Sequence, residues 1–269
     1  LGMFLFFAPL VVAQELTEGP IGTVKKEVYV KNTVPNKAPW VWAYTGQPGY
    51  REEIYTVWSH DDQVRGYGDS PTQPHRRVSH DDGKTWSELT PLPPNLTVGE
   101  DYAVIDWKFC GIYDPASKRH VDLSIHHVRD MREGPPRRIY NHALIRLSDD
   151  GGKTFGPPEI LRYEDGEDLS PETLLSADFL KNNTGYPGQP IFRHSNGNLI
   201  IPVTNSKIPT DVEDELVART VWPEKSGIGS LCYVGRWNTE NEAYDWKAGE
   251  SVWLSRDDAF NGLLEAAVA

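Results

Sequence analysis

Cysteine is nearly absent from this chain. Its 269 residues include only Cys110 and Cys232, 122 positions apart. That excludes a disulfide-dense scaffold and leaves two options open: one bridge, which export would permit, or two buried free thiols. Positive charge is also short, with 27 Lys and Arg against 39 Asp and Glu for a formal charge of −12. A nucleic-acid backbone needs a basic face, so nucleic acid is not an expected partner. A small anion held by a few converging arginines stays open. Long apolar runs are missing except at Leu1 to Ala13, which is too short for a membrane span. No convincing amphipathic helix is found, and Pro171 to Lys181 is the one stretch that reads as a short helix. Glycine-rich phosphate loops, nucleophile elbows and zinc-ligand spacings are absent too, so neither cofactor nor metal is expected.

Turn formers and aromatics are plentiful. The 23 Gly, 21 Pro, 12 Tyr and nine Trp suit an all-β protein rich in turns. Two segments stand out: Ser79-His80-Asp81-Asp82-Gly83-Lys84-Thr85-Trp86 and Ser148-Asp149-Asp150-Gly151-Gly152-Lys153-Thr154-Phe155. Both fit Ser-x-Asp-x-Gly-x-Thr-aromatic, and a pattern of five constrained positions found twice marks an internal repeat. The residue types suggest a turn staple. Asp81 and Asp150 accept from nearby backbone N–H groups, while Gly83 and Gly152 allow a positive φ. Ser79, Ser148, Thr85 and Thr154 tie the two sides together, and Trp86 or Phe155 anchors the turn on an apolar layer. Each copy follows an alternating stretch such as Tyr140 to Leu147, so the turn is expected to join two strands.

These motifs resemble the Asp boxes, or bacterial neuraminidase repeats, of the sialidase superfamily. The resemblance implies a six-bladed β-propeller. Asp boxes also occur in other glycoside hydrolases and in receptor propellers, so they point to a fold more than to an activity. Strand candidates fall into three groups, about three blades: Trp40 to the first box, Ala103 to the second, and Pro190 to Trp237. Asn261 to Ala269 reads as the first strand of a fourth. Residues 38–269 are thus expected to be a partial propeller lacking its C-terminal half. Residues 1–13 resemble a signal peptide with a Val-x-Ala cleavage site, although a buried N-terminal strand is the other reading. Residues 14–37 form an extension, and a secreted or periplasmic location is expected. Asn95-Leu96-Thr97 and Asn182-Asn183-Thr184 match the glycosylation acceptor pattern, which bears only on a eukaryotic source.

Sialidases, as the resemblance implies, bind an acidic sugar through an arginine cluster and use an Asp acid/base and a Tyr nucleophile assisted by Glu. A neutral tyrosine avoids the repulsion that a carboxylate would meet from an anionic substrate, and the sialidase tyrosine is an exception to the paired-carboxylate scheme. Glu265, in Gly262-Leu263-Leu264-Glu265-Ala266, resembles the family's glutamate at the start of a funnel-facing strand. Asp69, ten residues before Ser79, lies where the family places its acid/base, with Asp61 and Asp62 as rivals. Arg51 lies roughly where the first arginine belongs. Its surroundings, Gly49-Tyr50-Arg51-Glu52-Glu53-Ile54, lack the family's Arg-Ile-Pro motif, and either neighbouring Glu is a simple partner for it. The expected activity is a sialidase-like exo-glycoside hydrolase acting on glycoconjugates. The alternative is a noncatalytic Asp-box propeller that binds glycan or protein. His126 and His127 carry no expected metal, because neighbours on a strand point to opposite faces. Arg132 to Arg138 reads as a solvated loop.

Overall fold

In the computed structural model the described residues are 37–45, 50–59, 70–71, 74–92, 96–130, 132, 139–166, 170, 172–175, 183–207 and 227–254. Among them are strands and turns and no helix, and every strand pair is antiparallel. Residues 172–175, inside the expected short helix, form a turn. Among the described residues, no helix is long and apolar enough to cross a membrane. The segments read as signal peptide and extension, residues 1–36, lie outside the described residues.

The strands form three sheets. The first contains β1 (Lys37–Thr45), β2 (Arg51–Ser59), β4 (His75–Ser79) and β5 (Thr90–Pro91), with β3 (Ser70–Pro71) on β2. The second runs β10 (Glu159–Ile160), β9 (Ile139–Ser148), β8 (Arg119–Asp130), β7 (Tyr102–Asp114) and β6 (Leu96–Val98). The third joins β11 (Gly185–Pro187), β13 (Leu199–Lys207), β14 (Gly227–Asn238) and β15 (Ala243–Ala248). β12 (Phe192–Arg193) pairs with β13, and β16 (Val252–Leu254) with β14. Each sheet is therefore assembled from strands consecutive in the chain, the economical arrangement when short turns connect antiparallel neighbours.

The second sheet is covered on both faces. Its central strand β8 is buried at nearly every position, where a half-exposed strand would alternate. On one face Val121, Leu123, Ala143 and Ile145 pack with Leu199, Ile201, Val203, Leu231 and Tyr233 of the third sheet. On the other, Lys108 and Asp122 meet Glu52 of the first sheet. A β-bulge between Lys108 and Cys110 makes this division work. Lys108 pairs with Ser124 and Cys110 with Leu123, and these two partners point to opposite faces. Lys108 thus reaches the first sheet, while Cys110 joins the core shared with the third. Both cysteines are free. Cys110 is buried, accepts a hydrogen bond from the Ile191 N–H at 3.3 Å, and has its thiol pushed up to about 12 by burial.

Candidate functional site

The two repeated motifs have one geometry. Ser79 Oγ donates to Asp81 Oδ1 at 2.8 Å and accepts the Gly83 N–H at 2.8 Å. Asp81 then receives the Thr85 N–H at 2.8 Å and the Thr85 hydroxyl at 2.6 Å. In the second copy Ser148 donates to Asp150 at 2.8 Å and accepts the Gly152 N–H at 2.8 Å. Asp150 receives the Thr154 N–H at 2.9 Å and its hydroxyl at 2.6 Å. The same donors hold both carboxyls well below the usual carboxylate range, the threonine hydroxyl first. Asp81 is held at about 2. Gly83 and Gly152 take φ of 88° and 85°, so the turn needs glycine there. The turns join β4 to β5 and β9 to β10. With both carboxylate oxygens engaged locally, Asp81 and Asp150 act as turn staples.

The repeat extends beyond the motif. The residue paired with the box serine is Arg51 in the first sheet and His120 in the second. Both lie beneath the box glycine: a Cβ on Gly83 would stand 3.2 Å from Arg51 Cδ, and one on Gly152 would stand 3.7 Å from His120 Cδ2. Arg51 Nε lies 4.0 Å from Asp82 of the same box, with the side chain 42% exposed. Glu52 and Glu53, its expected partners, are held by other cations: Lys108 at 2.9 Å and Arg77 at 2.7 Å. Arg51 is thus the floor of the first box.

β2 runs nine residues from Arg51 to Ser59, so its ends stand about 26 Å apart at the usual rise per residue. Ser70, the neighbour of Asp69, pairs with Ser59. Arg51 and Ser70 therefore belong to opposite ends of the first sheet. Asp69, its rivals Asp61 and Asp62, and Glu265 all lie outside the described residues.

One charged cluster was not legible from motifs. Lys108 Nζ lies 2.9 Å from Glu52 Oε2 and 3.4 Å from Asp122 Oδ1. Arg146 donates to Asp122 Oδ2 at 2.8 Å, and Arg76 stands 3.9 Å from Glu52. Lys108 and Arg146 each lie 5.2 Å from the centre of the Phe155 ring, so the second box's aromatic is bracketed by cations. Glu52 and Asp122 are 2% and 0% exposed, which makes this a buried network between sheets. The available signal was Lys108 itself, one cation within the apolar run Ala103 to Phe109. A second clasp joins the second and third sheets: Tyr244 donates to buried Asp114, Arg193 pairs with the same carboxylate, and Arg119 bridges Asp149 and Glu242.

His126 pairs with Asp106 at 2.6 Å and His127 with Asn141 at 2.7 Å, on opposite faces of β8. Among the described residues no group of three or more His, Cys, Asp or Glu side chains is placed to hold a metal ion. Asp130 holds Arg132 in a two-point ion pair, Nε to Oδ1 at 3.0 Å and NH2 to Oδ2 at 2.8 Å. No family model matches the chain, and no curated protein sequence matches it.

Proposed function

We propose that this chain is part of an exported, sialidase-like β-propeller hydrolase. In this reading each of the three sheets is one blade, and the enzyme removes a terminal acidic sugar from a glycoconjugate with retention and without a metal. Glu265 assists a tyrosine nucleophile, and Asp69 is the acid/base. The supporting observation is the shared geometry of the two boxes. Each staples the turn between the last two strands of a successive sheet, and each is floored from the register position opposite its serine. The repeating unit is therefore a whole sheet, as a propeller requires. Ser70, which follows Asp69 in the sequence, pairs at the end of β2 remote from the box.

The position of Arg51 favours a second reading. Because it floors a box and lies 4.0 Å from Asp82, a substrate carboxylate would have to compete for it, which a noncatalytic propeller that binds glycan or protein does not require. Both readings are tested on the protein expressed from its whole open reading frame. A sialidase releases the fluorophore from a fluorogenic sialoside, and Glu265→Gln abolishes release while leaving the melting temperature nearly unchanged. Full release by Glu265→Gln removes that residue from the chemistry. No release by the parent protein, together with retained glycan binding, selects the noncatalytic reading.

A further inference from the structure

We propose that His120 is an acid-sensitive keystone between the first and second sheets, whose protonation loosens the packing of Tyr50 and of the second box's Phe155 against its ring. The two repeats make the case by contrast. At the position opposite the box serine, the first repeat carries a permanent cation, Arg51, which is partly exposed beside Asp82. The second repeat carries a titratable ring that is 3% exposed.

His120 is enclosed on every side that the structure defines. Tyr50 meets it edge-on at 6.5 Å from the first sheet, and Phe155 of the second box does so at 6.0 Å. The backbone of Gly111 lies flat against it, so that a Cβ there would stand 2.5 Å from Nε2. Nε2 is buried and makes no hydrogen bond. A neutral ring tolerates this, because one imidazole nitrogen carries no hydrogen, whereas an imidazolium must donate from both. The charged groups facing the ring are Lys108 from β7, Asp122 from β8 and Glu52 from β2, with Arg146 of β9 5.2 Å from the centre of the Phe155 ring. Both carboxylates are already committed, Glu52 to Lys108 and Arg76, Asp122 to Lys108 and Arg146. A proton on His120 either stays uncompensated beside Lys108 or draws a carboxylate away from it. In both cases the seam between the sheets loosens.

Burial, then Lys108, lowers the proton affinity of the closed form. The open form titrates near the ordinary histidine value of about 6.5. Below that pH the open form binds the proton more tightly, so the opening constant rises about tenfold per pH unit until the closed form also titrates.

The test is amide hydrogen exchange of the full chain between pH 7.5 and 5, read as protection factors so that the intrinsic pH dependence of exchange divides out. Protection at residues 50–55 and 148–155 should fall below pH 6.5 in the parent and fall much less in His120→Phe, in which only the contributions of His127 and His142 remain. A flat profile in the parent, or the same fall in His120→Phe, overturns the proposal. Should His120→Phe fail to fold, NMR titration of the parent decides. A His120 midpoint below 6.5, with concerted shifts of the Tyr50 and Phe155 rings, supports the keystone. A midpoint at or above 6.5, or no ring shifts, overturns it.

Discussion

Replacing Lys108 by methionine removes the cation shared by two buried carboxylates, and its cost follows from the geometry. Lys108 is 12% exposed and lies 2.9 Å from Glu52 and 3.4 Å from Asp122. Methionine keeps most of the stem, so little packing is lost, but Glu52 is left with the Tyr50 hydroxyl at 3.3 Å and, of its cations, Arg76 at 3.9 Å. Asp122 retains Arg146 at 2.8 Å. The dominant loss is therefore at Glu52. Breaking a buried pair by deleting one partner costs about 3–5 kcal/mol, a large share of a domain's net stability of about 5–15 kcal/mol. The double variant Glu52→Leu, Lys108→Met removes both charges and should cost less than the sum of the two single changes, by about 1–3 kcal/mol. Urea unfolding followed by the fluorescence of the nine tryptophans measures all four corners of the cycle. The coupling should survive added salt, since buried charges are screened little. Strict additivity, or a single-variant cost under about 1 kcal/mol, as for exposed pairs, would refute the view of a buried clasp between sheets.

Acid should weaken the second sheet through its other buried histidines. Burial holds His142 down at about 3 and His127 at about 4. Because the unfolded chain binds these protons near pH 6.5, stability is complete above that value and falls as pH drops towards the folded values. At pH 5 the loss is about 2 kcal/mol for each ring. Thermal melting at pH 7.5 and 5 should show it, and His142→Leu should flatten the difference; an identical difference in that variant contradicts the assignment. In the second box, Asp150→Ala removes the acceptor of the Ser148 and Thr154 hydroxyls. It should lower the melting temperature and expose residues 149–156 to limited proteolysis, with turnover in the proposed sialoside assay unchanged per folded molecule. Lost turnover at an unchanged melting temperature would instead make Asp150 a chemical group.

What was legible in the sequence was local. The boxes declare themselves because three side chains within seven positions, Ser79, Asp81 and Thr85, close their own hydrogen bonds. The strands β8 and β9 follow from alternation, although their ends run past the recognisable stretches. Long-range pairing left weaker traces. Glu52 and Lys108 are 56 positions apart, and nothing adjacent to Glu52 distinguishes Arg51 from the lysine that it meets. Arg51 drew attention by proximity to an expected motif site, whereas its function as a box floor is visible only when Arg51↔Ser79 is set beside His120↔Ser148. Strands β15 and β16 lack a marker of that kind, since the turn 239–242 carries Thr239-Glu240-Asn241-Glu242 in place of a box.

The bulge at Phe109 has a consequence for how this protein tolerates change in length. Upstream of it, Lys108 shares a face with Ser124; downstream, Cys110 shares a face with Leu123. Deleting Phe109 would restore simple alternation while leaving Cys110 opposite Leu123, so every later side chain of β7 would keep its face. A deletion at Gly111 would instead set Ile112 opposite Asp122, exchanging its apolar neighbours for the charged seam. Most strand ends absorb an insertion or deletion in the adjoining turn. This strand interior absorbs one only at its bulge, so drift in length should be confined to the turns and to the single extra residue between Lys108 and Cys110.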